Sequence, residues 1–135
     1  MASKVFINLP VKNLQASMSF FTGLGFSFNP QFTDEKAGCM VVSESIYVML
    51  LKEEYFATFT KKPVSDAKKS TEVLIALDAQ SKDEVNDLVK KAVAAGGSTY
   101  NDPQDYGWMY QHSFADLDGH QWELAYMDAS QIPNS

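Results

Sequence analysis

The sequence predicts an α+β domain of two tandem βαβββ units, eight strands forming a half-open cup with the helices outside, and three observations carry that expectation. A β-rich run is followed by an apolar stripe at helical spacing and then by three strand-like runs. The same order recurs after a lysine-rich connection. Capping and turn residues punctuate both halves at corresponding places. The halves span about 3–51 and 70–127 of a single domain covering 1–135, a length sufficient to bury a core without staples. Identity between them is negligible, so the repeat lies in pattern.

In the first half, Val5 to Val11 reads as a strand, and Asn13 can cap a helix whose apolar positions Leu14, Met18 and Phe21 recur at helical spacing. Gly23 and Gly25 are expected to end it. Phe26 to Phe32, Cys39 to Val42 and Ile46 to Leu51 follow as strands, separated by the turn-like stretches Thr33-Asp34-Glu35-Lys36 and Ser43-Glu44-Ser45. The connection to the second half carries Lys61, Lys62, Lys68 and Lys69 around Pro63 and reads as a solvated linker, with a short helix near Phe56.

The second half opens with Val73 to Leu77, a strand that looks buried. Ser81 with Glu84 forms a capping box ahead of a helix with Val85, Leu88, Val89 and Ala92 on one face, and Gly96 and Gly97 close it. Tyr100, Trp108 to Phe114 and Gln121 to Tyr126 supply three more strands, the last two joined by the hairpin signal Asp118-Gly119. The tail beyond Met127 is expected to fray.

Composition narrows the function classes. Net charge is −6, and all eleven basic residues are lysine. Without arginine the chain lacks the planar fork that grips carboxylates and phosphates bidentately. An acidic surface without a basic stripe excludes nucleic acid as a partner. No segment approaches the roughly 18 apolar residues of a membrane span, and the N-terminal run is too short for a signal peptide, so a cytoplasmic protein is expected. Cys39 is the only cysteine and reads as a small apolar strand residue.

Phe114-Ala115-Asp116-Leu117-Asp118-Gly119, followed by Gln121-Trp122-Glu123, resembles the "F-x-D-P-D-G-x-x-x-E" ending of the vicinal-oxygen-chelate superfamily, which includes glyoxalase I, bleomycin-resistance proteins and extradiol dioxygenases. The opening Val11-Lys12-Asn13-Leu14, with Phe20-Phe21 and Leu24-Gly25-Phe26, is similar to the same family's first strand and helix. The resemblance spans 4–127. Leu117 departs from it, standing where the family commonly has proline.

Metal-using members place a ligand on each of four strands, typically histidine, glutamate, histidine and glutamate. The resemblance puts those positions at Phe6, Met49, near Glu72 and at Glu123, and the first two suit no hard divalent ion. His112 or His120 would have to complete a set with the two carboxylates, and no metal cofactor is expected. If Glu72 and Glu123 are enclosed together, repulsion and desolvation would raise the pKa of one of them and make an acid/base pair, with Glu123 the candidate catalytic residue. Along its strand Glu123 alternates with Trp122 and Leu124, which belong to a core side. Tyr106 and Trp108, beside Gly107 and two aspartates, are what a pocket for a flat cationic molecule would use, although Trp108 and Tyr110, two apart, also suit packing under a helix.

These residues favour a metal-independent protein that binds a small molecule, with Phe6, Met49, Glu72, Tyr106, Trp108, His112 and Glu123 as candidate contacts. The alternatives are a glyoxalase-like lyase or isomerase, opposed by the missing ligands, and a metal-free enzyme using Glu123. By analogy with family members of this length, the expected assembly is a homodimer.

Overall fold

The structure, a computed structural model, describes residues 1–132. Its chain groups into two compact units, Met1–Asp66 and the segment from Ala67 onward. The two share one topology. In the first, β1 (Val5–Val11), α1 (Leu14–Leu24), β2 (Ser27–Phe28), β3 (Ala37–Val41) and β4 (Ile46–Lys52) form a four-stranded sheet in the order β1-β4-β3-β2. In the second, β5 (Leu74–Asp78), α3 (Lys82–Ala94), β6 (Gln104–Asp105), β7 (Met109–Ala115) and β8 (Gln121–Met127) repeat it as β5-β8-β7-β6. In each sheet the opening strand pairs in parallel with the closing one, and the other pairs are antiparallel. The α+β class and the tandem βαβββ units are as the sequence predicts.

Helix α1 starts where Asn13 accepts a hydrogen bond from the Ala16 amide at 3.0 Å and stops at Gly25, whose φ of 107° is the left-handed conformation a glycine takes without strain. Gly23, expected among the terminators, lies inside the helix. The helix buries Leu14, Ser17, Phe20, Phe21 and Leu24, and the sheet contributes Leu9, Val11, Val48 and Leu50 to the same core. Gly38 lets Met18 approach: a methyl group there would meet the Met18 sulfur at 3.1 Å.

The strand expected over 26–32 shrinks to Ser27–Phe28, because Asn29 accepts from the Gln31 amide and Pro30 opens a 3-10 turn, Pro30–Phe32. The short helix near Phe56 is present as α2 (Glu53–Phe56), continued by a 3-10 turn at Ala57–Phe59.

In the second unit Ser81 accepts from the Glu84 amide at 3.0 Å, while the Glu84 carboxylate accepts from Gln80 N rather than from Ser81 N. The box is therefore displaced by one residue. Val85, Val89 and Ala92 are buried, together with Trp122, Leu124 and Phe114. Strand β5 is less enclosed than its apolar sequence suggests: Ile75 is buried, but Val73 and Leu74 are about half exposed, because a strand at the rim of its sheet covers only one face. Tyr100 belongs to no strand; the chain there is tied by an isolated bridge between Ser98 and Ala115.

The hairpin joining β7 and β8 is built around Asp116. Its carboxylate accepts hydrogen bonds from the amides of Asp118 and His120 and from Trp122 Nε1, at 3.0 to 3.1 Å. Burial raises its pKa, against the pull of His120 and of these hydrogen bonds. Beyond Met127, Asp128 caps a 3-10 turn at Ala129–Gln131, so the part of the expected fraying tail that is described is ordered, and 133–135 lie outside the described residues.

Candidate functional site

Strand alternation assigns each side chain of the first sheet to one of two faces. Leu9, Val11, Val48 and Leu50 pack with α1, so Phe6, Asn8, Met49 and Cys39 occupy the other face, with Asn8 and Cys39 flanking Met49 in register. On that face lies a cavity of about 360 Å³. Asn8, Ala37, Met49 and Leu51 form its floor. Phe32 closes one side with Gln31, Thr33 and Asp34, and Tyr55 and Phe59 close another. The Tyr55 and Phe59 rings meet edge to face at 5.0 Å, as residues four apart on successive helical turns should. Phe32 and Phe59 are 62% and 67% exposed, far more than aromatic rings committed to a core.

Asp34 is the one carboxylate on the wall. Its Oδ1 accepts from the amides of Lys36 and Ala37 at 2.8 and 3.0 Å, which fixes the carboxylate in place. The Lys36 ammonium lies 5.5 Å from the Tyr55 ring centre, within cation–π range. The cavity thus combines aromatic edges and faces, a soft thioether, an amide and a fixed negative charge.

Of the predicted contacts in this unit, Met49 lies on the cavity floor. Phe6 is half exposed and stacks on Tyr47 at 4.9 Å, away from the cavity lining. In the second unit, Glu123 lies in register between Ala76 of β5 and Ser113 of β7. Glu72 is exposed and precedes β5, four residues before Ala76, which is about 13 Å along an extended chain. The register therefore does not bring the two carboxylates together.

His112 pairs with Leu124, so it occupies the face opposite Glu123, and its buried Nδ1 has no hydrogen-bond partner. Burial lowers its pKa, with Asp102 opposing. Tyr110, on that same face, donates to Asn86 of α3 at 2.7 Å, so it packs against the helix. Trp108 is half-buried, and Tyr106 is half exposed.

The family's metal chemistry meets a donor set that does not fit it. Phe6 offers hydrocarbon and Met49 a thioether where hard oxygen or imidazole donors are needed. Among the described residues no group of three or more His, Cys, Asp or Glu side chains could hold a metal ion. Cys39 is buried, and burial pushes its thiol pKa up, which opposes the thiolate a metal would require.

Several cavity residues escaped sequence reading. Asn8 had a signal, a lone polar residue alternating within Val5–Val11, and Tyr55 with Phe59 had another in their spacing. Asp34 had none, because nothing in its local sequence separates a turn aspartate from a wall.

A doubled βαβββ topology, with an open cavity on the face of the first sheet away from α1, defines a class of small α+β domains. The chain belongs to the Glyoxalase/Bleomycin resistance protein/Dioxygenase superfamily, whose family model matches residues 5–124. Among solved structures, a hypothetical protein from S. aureus is 28% identical, with a TM-score of 0.80 over 93% of this chain and 94% of that one. A glyoxalase-related enzyme from Fulvimarina pelagi is 22% identical, with a TM-score of 0.77 over 90% and 86%. The fosfomycin resistance protein FosX from Listeria monocytogenes shares the fold at 18% identity, with a TM-score of 0.69 over 100% of this chain and 96% of that one. No curated protein matches.

Proposed function

We propose that this protein binds a small, flat, cationic aromatic molecule in the cavity of its first unit, without a metal. The observation that carries this reading is the lining itself: Phe32, Tyr55 and Phe59 around Met49, with Asp34 the single carboxylate. Rings exposed at a cavity mouth gain by stacking on a planar guest, and the fixed carboxylate favours a positive one, which takes the place of the Lys36 ammonium at the Tyr55 ring. The net charge of −6 adds long-range attraction for cations. The setting is cytoplasmic and the assembly a homodimer.

Proflavine, a planar aromatic cation, and an uncharged acridine derivative of equal size test the reading in a fluorescence titration. Saturable binding of proflavine, preferred over the neutral compound, is the expected result. Phe59→Ala should weaken it by roughly three- to tenfold, the worth of one aromatic contact. Asp34→Asn keeps the Oδ1 acceptor that the Lys36 and Ala37 amides use, so it removes the charge while sparing the turn; it should erase the preference for the cation. Equal binding of both compounds, or binding lost on EDTA treatment and restored by zinc or nickel, would overturn the proposal.

A further inference from the structure

The cavity of the first unit carries a cation of its own at the Tyr55 ring. The turn at 34–37 is closed by the Asp34 amide, which donates to the Ala37 carbonyl at 2.9 Å, and by Asp34 Oδ1, which accepts from the amides of Lys36 and Ala37. The Lys36 carbonyl in turn accepts from the Lys52 amide at 3.0 Å. Lys52 ends β4, three positions before Tyr55 on α2. Both backbone groups of Lys36 are thus pinned, one to the turn that holds the cavity's carboxylate and the other to the root of the helix that supplies its ring. The Lys36 side chain is exposed.

From that anchorage the Lys36 ammonium lies 5.5 Å from the Tyr55 ring centre. Glu35 precedes Lys36, and Glu53 and Glu54 follow Lys52, yet Lys36 forms no ion pair among the described residues. The ring, and no carboxylate, is its resting partner. A cation–π contact at an exposed site is weak, so the ammonium leaves the ring readily. Its tether then returns it at a high effective concentration. A ring face holds one cation at a time, so a guest cation and the Lys36 ammonium exclude each other there.

We infer that Lys36 is a tethered competitor that occupies the Tyr55 subsite of the cavity and sets how strongly a cationic guest must bind in order to enter. The inference rests on the cavity reading for its guest, and on the first unit's own geometry for the competitor. Displacing the ammonium costs its contact with Tyr55, so the net gain of any guest on that ring is lowered by the worth of that contact. Removing Lys36 is therefore expected to tighten binding, the reverse of what deleting a contact does.

Proflavine titrations of the full-length protein compare the parent with Lys36→Ala and Lys36→Arg, thermal midpoints confirming that each variant is folded. Lys36→Ala should tighten binding roughly two- to fivefold, the worth of one exposed cation–π contact, and Lys36→Arg, which keeps a cation able to stack, should not. In a Tyr55→Leu background Lys36→Ala should do little, because no ring remains to compete for. Tightening that persists undiminished there is charge repulsion alone and overturns the inference. Unchanged or weaker binding by folded Lys36→Ala does the same. The ε-methylene proton resonance of Lys36 gives a second readout that needs no aromatic guest. It should lie upfield in the free protein, under the ring current of Tyr55, and return to the ordinary lysine position in Tyr55→Leu. Tetramethylammonium should release it in the same way, and tert-butanol, similar in size but uncharged, should not. An ordinary position in the free parent would overturn the inference. Release by tetramethylammonium without proflavine binding supports the competitor and strikes the aromatic guest, whereas saturable proflavine binding indifferent to Lys36→Ala strikes the competitor and leaves the guest.

Discussion

His112 is held as a neutral imidazole, because burial disfavours its charged form more than Asp102 supports it. Its folded pKa lies below the unfolded value of about 6.5, so the unfolded chain binds the proton more readily. The stability tied to the neutral ring is complete above about 6.5 and is lost as pH falls from there through the folded pKa. His112→Gln should therefore flatten the acid side of the stability curve, read as thermal midpoint against pH from neutral downward. A variant curve parallel to the parent's would remove His112 as the cause. At this scale the sequence showed Glu123 opposite Trp122 and Leu124, since alternation is a property of the strand itself, while Met49 was reached only through the family resemblance. It did not show that Ala76, rather than Glu72, stands beside Glu123. That depends on the register between β5 and β8, which are separated by the whole second unit.

Turns decide where elements end, and two glycines separate two reasons for needing one. Gly107 and Gly119 both have positive φ, 84° and 87°. A methyl group on Gly107 meets nothing within 4 Å, whereas one on Gly119 would meet the Lys68 amide nitrogen at 2.9 Å. Gly107→Ala should cost about 1 kcal/mol for the left-handed conformation alone. Gly119→Ala should cost roughly 2 kcal/mol or more, because the 67–68 segment must also move. Urea unfolding of the two variants measures the difference; equal losses would show that the close approach contributes nothing. Helices α1 and α3 were legible because their caps and apolar stripes are local signals. The short strands were not. Asn29 and Pro30 cut β2 to Ser27–Phe28, and β6 reduces to Gln104–Asp105, since pairing with a neighbour and not local preference makes a strand this short.

At the scale of the whole molecule, apolar side chains on rim strands call for a cover. Val5 and Phe6 on β1, with Val73 and Leu74 at the start of β5, are all about half exposed. A second copy of the chain is the proposed cover, and light scattering should return twice the 15.0 kDa chain mass. Leu74→Asp should shift the mass toward one chain; a parent protein already at one chain mass would remove the dimer. The duplicated topology was readable because the order of elements repeats, while the cavity was not, because Phe32 reaches it from a 3-10 turn and the spacing of Tyr55 and Phe59 does not say which face of the sheet they cover. The alternation along each strand has one more consequence. Leu9 stabilises the first unit while its neighbour Asn8 faces the cavity, and Trp122 and Leu124 stabilise the second while Glu123 between them faces away from the core. Stability and recognition are thus written in interleaved positions of the same strands. A new guest can be accommodated in the first unit's cavity by rewriting residues 8 and 49 while the folding code on either side of them is left intact.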